Sequence, residues 1–74
     1  MTYDYSKLIG RIVEKYQNRK NFAAALGISE HSLSEKLNNN KPFKQREITK
    51  AIELLGASGD DICGYFFTQT VQNN

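Results

Sequence analysis

Residues 18–38 read NRKNFAAALGISEHSLSEKLN, two short apolar-periodic runs on either side of a glycine. In the first run Phe22 and Leu26 stand four residues apart and share one face of a helix, while Ala23 leaves room for a second helix to approach. Asn18 or Asn21 caps the start of this helix, and Gly27 supplies the left-handed residue that ends it. Ser29 then offers a hydroxyl to the unpaired amides of a new helix, in which Leu33 and Leu37 face inward. Ile28 and Leu33 plug the angle between the two. With three residues of turn, Gly27 to Ser29, this is the spacing of a helix-turn-helix. That geometry holds its second helix out from a compact body so that it can enter the major groove of DNA.

Upstream, Leu8, Ile9, Ile12, Val13 and Tyr16 recur at helical spacing and predict a core helix over about residues 5–17. Asp4 or Ser6 caps it, and Lys7, Arg11 and Lys15 lie on its outer face. Downstream, the asparagine run 38–40 ends the third helix, because Asn tolerates left-handed backbone. Pro42 bars continuation and leaves Phe43 to tuck back as an anchor. Ile48, Ala51, Ile52 and Leu55 set a fourth helix over about residues 44–55, closed by Gly56. Ser58, Asp60 and Asp61 open a short fifth helix with Ile62, Tyr65 and Phe66. The stretch FFTQTVQ favours an extended segment, so a frayed or extended tail is expected over about residues 68–74. The expectation is one all-α domain of five helices over residues 1–74, with no internal repeat and no linker.

A single domain of this size buries only about 60% of its unfolded surface, so marginal stability or a dimer is expected. An apolar fraction of 39% and a charged fraction of 24% are those of an ordinary globule and argue against disorder. No apolar run approaches the roughly 20 residues of a membrane helix, and no leader-like segment opens the chain. A cytoplasmic protein without a membrane partner is therefore expected. With one Cys and one His, Cys63 and His31, neither an internal disulfide nor a zinc set can form, and the thiol reads as buried or half-buried. No metal, cofactor or catalytic residue is expected, since His31 and Cys63 fall on different helices and no glycine-rich phosphate loop is present.

Charge is unevenly placed. Residues 1–50 hold all ten Lys and Arg against five acids, whereas residues 51–74 hold Glu53, Asp60 and Asp61 and no base. Lys36, Lys41, Lys44, Arg46 and Lys50 against Glu47 give +4 over fifteen residues, which reads either as attraction for a polyanion or as a solvated surface.

The run FAAALGISEHSLSEKLN, residues 22–38, resembles the helix-turn-helix of the λ-repressor and Cro family, and the likeness extends over about residues 5–66. Its length and its ending YFFTQTVQ make it similar, more narrowly, to the small Cro-like or modulator-of-repression regulators of Gram-positive temperate phages. The resemblance implies a compact five-helix λ-repressor-like domain, with helices 2 and 3 forming the motif. It also implies action on double-stranded operator DNA in the lysis-lysogeny switch, within the cytoplasm of a bacterial host. Residue by residue, it puts base contacts on Ser29, Glu30, His31, Ser34 and Glu35, with Lys36 and Asn38 on the same helix. Phosphate contacts fall on Arg19, Lys20, Asn21, Asn39, Asn40, Lys41 and Lys44. Two positions depart from the family pattern. Arg19 replaces the usual Gln and keeps a phosphate role by charge, and Lys36 stands where relatives are often apolar, leaving Leu37 the inward place.

For reading bases this set is weak. The helix offers no Arg, Gln or Asn for a bidentate contact except Asn38 at its end, and two carboxylates facing a duplex oppose phosphate attraction. Two functions remain open: a Cro-type regulator that reads an operator, and an anti-repressor that docks on a partner repressor. In the second, Glu30, His31, Ser34 and Glu35 meet the repressor's basic DNA-reading face and exclude DNA. His31 reads as a base or phosphate contact, a pH-sensitive group or an exposed residue with no role. Tyr3 and Tyr5 read as packing of the amino-terminal arm ahead of contact with a partner. Ile62, Tyr65, Phe66, Phe67 and Val71 are more than a fraying tail normally carries. Whatever part of them does not close the core beneath the first helix is a candidate homodimer surface, which would space two recognition helices about one DNA turn apart.

Overall fold

The computed structural model describes residues 2–69. Its helices are α1 (Ser6–Tyr16), α2 (Arg19–Leu26), α3 (Glu30–Leu37), α4 (Gln45–Leu54) and α5 (Ile62–Phe66), with a 3-10 turn over Gly59–Asp61 leading into α5. The fold is all-α with five helices, as the sequence periodicity requires. Among the described residues the extended character of FFTQTVQ amounts to one antiparallel bridge, Tyr3 to Gln69. Beside it the Asp4 amide donates to the Thr68 carbonyl at 2.7 Å, tying the segment before α1 to the segment after α5. Residues 70–74 of the predicted tail, Val71 among them, lie outside the described residues. No helix among those described is long and apolar enough to cross a membrane.

Most of the helix ends have a local cause. The Asp4 carboxylate accepts the Ser6 amide at 2.9 Å and the Ser6 hydroxyl at 2.5 Å, bonds that hold the Asp4 carboxyl below its ordinary pKa. Of the two possible caps for α2, Asn18 is used, its side-chain oxygen accepting the Asn21 amide at 2.8 Å. Gly27, at φ 87°, ends α2, and Ser29 Oγ accepts the Ser32 amide at 3.0 Å to open α3. Asn39 takes φ 64° after α3, so the asparagine run does supply a left-handed residue. The C-terminal carbonyls of α4 are satisfied from α1. Arg11 donates to the Leu55 carbonyl at 2.9 and 3.2 Å, and the Tyr16 hydroxyl to that of Leu54 at 3.2 Å. Arg11, placed by sequence on an outer face, thus joins the first and fourth helices.

The core gathers Leu8 and Ile12 from α1, Phe22, Ala23 and Leu26 from α2, Leu33 and Leu37 from α3, Ala51 and Leu55 from the α4 region, and Phe66 from α5. Val13 departs from the expectation and is 49% exposed. At about 100° per residue it falls roughly 140° round the helix from Leu8, at the outer edge of the apolar stripe. Phe43 does anchor its loop, with ring centroids 5.4 Å from Tyr5 and 5.1 Å from Phe66, both edge-on. Tyr5 is buried, so the aromatic arm packs as expected. The carboxy-terminal aromatic cluster divides: Phe66 is buried, Ile62 and Tyr65 are half-buried, and Phe67 is 48% exposed. Cys63 is exposed rather than buried, and Phe66 is the buried residue of this short helix.

Candidate functional site

Leu33 and Leu37 seat α3 on the core, and that seating decides which side chains it shows. Glu30, His31 and Asn38 are exposed, while Ser34 and Glu35 are half-buried on the flanks. The Glu35 carboxylate is shared, lying 3.2 Å from the Lys41 ammonium and 3.3 Å from His31 Nε2. The loop is drawn back over the helix end by the Asn40 amide, which donates to the Glu35 carbonyl at 2.8 Å. Among the described residues Glu30 has no ion-pair partner within 4.0 Å. The outer surface of α3 therefore carries carboxylates and one imidazole, with Lys41 reaching in from the following loop.

Lys36 does not belong to that surface, which corrects its assignment as a DNA contact. It is 5% exposed and its ammonium sits 2.5 and 2.6 Å from the two Glu47 carboxylate oxygens, Glu47 being equally buried. The Lys44 amide also donates to Glu47, at 2.9 Å, so one carboxylate joins the end of α3, the connecting loop and the start of α4. Burial pushes the Glu47 carboxyl up, but the hydrogen bonds from Lys36 and Lys44 and the charges of those two lysines outweigh it and hold the carboxyl below its ordinary pKa. Leu37 takes an inward place as well, so the last turn of α3 buries two successive residues on different sides.

The expected phosphate contacts divide in the same way. Asn39 is exposed but spends part of its side-chain amide on the amino-terminal arm, donating to the Tyr3 carbonyl and accepting the Tyr3 amide, both at 2.9 Å. Asn21 uses part of its amide on the Tyr16 carbonyl at 2.9 Å. Lys20, Asn40 and Lys44 are exposed and Arg19 is half-buried, with no ion pair for Arg19, Lys20 or Lys44 among the described residues. Ser29 remains exposed, its oxygen occupied as the α3 cap. Sequence reasoning missed the buried pair. The available signal was a lysine at a position otherwise read as apolar, followed by Glu47 in the first turn of the next helix. Among the described residues no group of three or more His, Cys, Asp or Glu is placed to hold a metal ion.

The chain as a whole is similar to known proteins. A family model described as "Protein of unknown function (DUF739)" matches residues 1–69, and the chain belongs to that family. Among solved structures the chain is similar to the solution structure of the modulator of repression (MOR) of the temperate bacteriophage TP901-1 from Lactococcus lactis. The two are 46% identical, the match covers 97% of each chain, and the TM-score is 0.79. Among curated proteins, none matches the chain.

Proposed function

We propose that this chain modulates a phage repressor by protein contact. In this reading α3, held out by a helix-turn-helix arrangement, lays Glu30 and Glu35 on the basic DNA-reading surface of the repressor and keeps DNA off it. The observation that carries the proposal is the charge left exposed on α3: its one lysine, Lys36, is withdrawn into the core, and both of its glutamates remain on the exposed and flanking surface. Similarity to a modulator of repression from a temperate phage supports the same reading. His31 and Ser34 lie beside the two carboxylates and complete the contact.

Direct operator binding is the second reading, favoured by the unpaired Arg19, Lys20 and Lys44 and opposed by Glu30 and Glu35. Both readings place the chain in the cytoplasm of a bacterial host. Exchanging Glu30 and Glu35 together for Lys separates them. Titration calorimetry against the phage repressor proposed as its partner is expected to show affinity reduced about tenfold or more, because like charges then face each other. A mobility shift with duplex DNA is expected to show equal or stronger retardation. Unchanged affinity for the repressor contradicts the proposal.

A further inference from the structure

Arg46 and Lys50 stand four residues apart on the exposed side of α4 and have no part in the site described above. Two clefts share them. One is walled by Leu26, Gly27 and Ile28 of the α2–α3 turn, with Glu47 at its edge. The other runs past Thr49 to Glu53. Neither cation has an ion-pair partner within 4.0 Å among the described residues, and the carboxylate of Glu47 beside them is already held by Lys36. The Lys50 ammonium lies 4.0 Å from the place a Cβ on Gly27 would occupy, so it reaches across to the turn itself. Ser29 and Glu30 follow that turn directly, so the cationic cleft adjoins the acidic start of α3.

We infer that Arg46 and Lys50 form a second docking point on the same interface, taking an Asp or Glu side chain of the partner repressor; the inference rests on the proposed function. Guanidinium and ammonium groups four residues apart suit a carboxylate, and the apolar wall of Leu26 and Ile28 removes water from one side of the contact, which strengthens it. The neighbouring charges select against a nucleic acid. A duplex brings a phosphate about every 1.7 Å of its axis, and Glu53 on the same cleft opposes its further phosphates. A protein side chain brings one charge to the one place where it is attracted. The partner surface recognised is then a basic stretch opposite α3 with an acidic residue beside it. Alternating signs of this kind fix the register of docking as well as its strength.

The test compares three forms of the full chain by calorimetry against the phage repressor proposed as its partner: the native chain, the double variant Arg46→Glu/Lys50→Glu, and Glu30→Lys/Glu35→Lys. Affinity is expected to fall about tenfold or more for the α4 variant. Replacing the repressor's surface Asp and Glu residues singly by Lys is expected to find one that weakens binding of the native chain and restores binding of the α4 variant. Native affinity in the α4 variant, with the α3 variant impaired, overturns the docking point and leaves the proposed function standing. Loss with no restoring exchange overturns it as well, since the effect is then on folding. A main effect on duplex retardation assigns the pair to DNA and overturns it. If the native chain binds no repressor, both ideas fall together.

Discussion

Replacing Lys36 by Met is expected to destabilise the domain by about 3–5 kcal/mol, the usual consequence of leaving a buried charge without its partner. Glu47 would keep only the Lys44 amide as a hydrogen-bond donor inside a nearly closed site. Native domains are stable by about 5–15 kcal/mol in all, and a chain of this size lies toward the lower end, so the variant would sit near the threshold of folding. Glu47→Leu alone strands the ammonium and carries a similar penalty. The double variant Lys36→Met/Glu47→Leu is expected to recover most of the loss, because an apolar pair of similar volume needs no desolvated charges. Urea unfolding of the four forms gives the coupling directly.

The same cycle has a pH signature. The Glu47 carboxyl is held below its ordinary pKa, so its contribution is present above the unfolded carboxylate range and is lost as pH falls through its folded value. In Lys36→Met the carboxyl loses the cation while burial still pushes it up, so that variant loses less stability in acid than the native protein does. The gap between native and variant is therefore expected to narrow as pH drops below about 5. A gap under about 1 kcal/mol at neutral pH would show that the pair contributes little.

Phe66→Ala is the other substitution with a large expected effect, about 3–5 kcal/mol. Phe66 is 2% exposed and is the one fully enclosed residue of α5, with the Phe43 ring edge-on at 5.1 Å and Tyr5 packed behind Phe43. Removing it opens a cavity beneath the loop that carries Asn39 to Lys41. Thermal unfolding is expected to fall by about 15 °C or more, given the small entropy of unfolding of so short a chain. Phe67→Ala, on a ring that is 48% exposed, should shift the midpoint by only a few degrees. Equal effects at the two positions would mean that the segment packs differently.

How far the sequence could be read depended on whether a residue's role is local. Gly27, Ser29 and Asn39 act on backbone within a few residues of themselves, and each was legible as a turn or cap. The helix order followed from periodicity in the same way. Lys36, Arg11 and Asn39 also act on Glu47, Leu55 and Tyr3, which are 11 to 44 residues away, and no local pattern reports such partners. Val13 was misplaced because an apolar stripe has an edge that composition does not mark. The composition of the candidate site was legible, since Glu30, His31 and Glu35 are displayed on α3. The size of its negative charge was not, because that depended on Lys36 turning inward.

The central claim, that α3 covers the DNA-reading face of a repressor, is tested most directly by competition. Fluorescence anisotropy of labelled operator duplex bound to the phage repressor proposed as partner, titrated with the native protein, is expected to fall to that of free DNA. The midpoint should shift upward in proportion to repressor occupancy by DNA. Anisotropy that stays constant or rises, with calorimetry showing that the two proteins do bind, would mean that DNA and this chain occupy the repressor together, and would contradict the account.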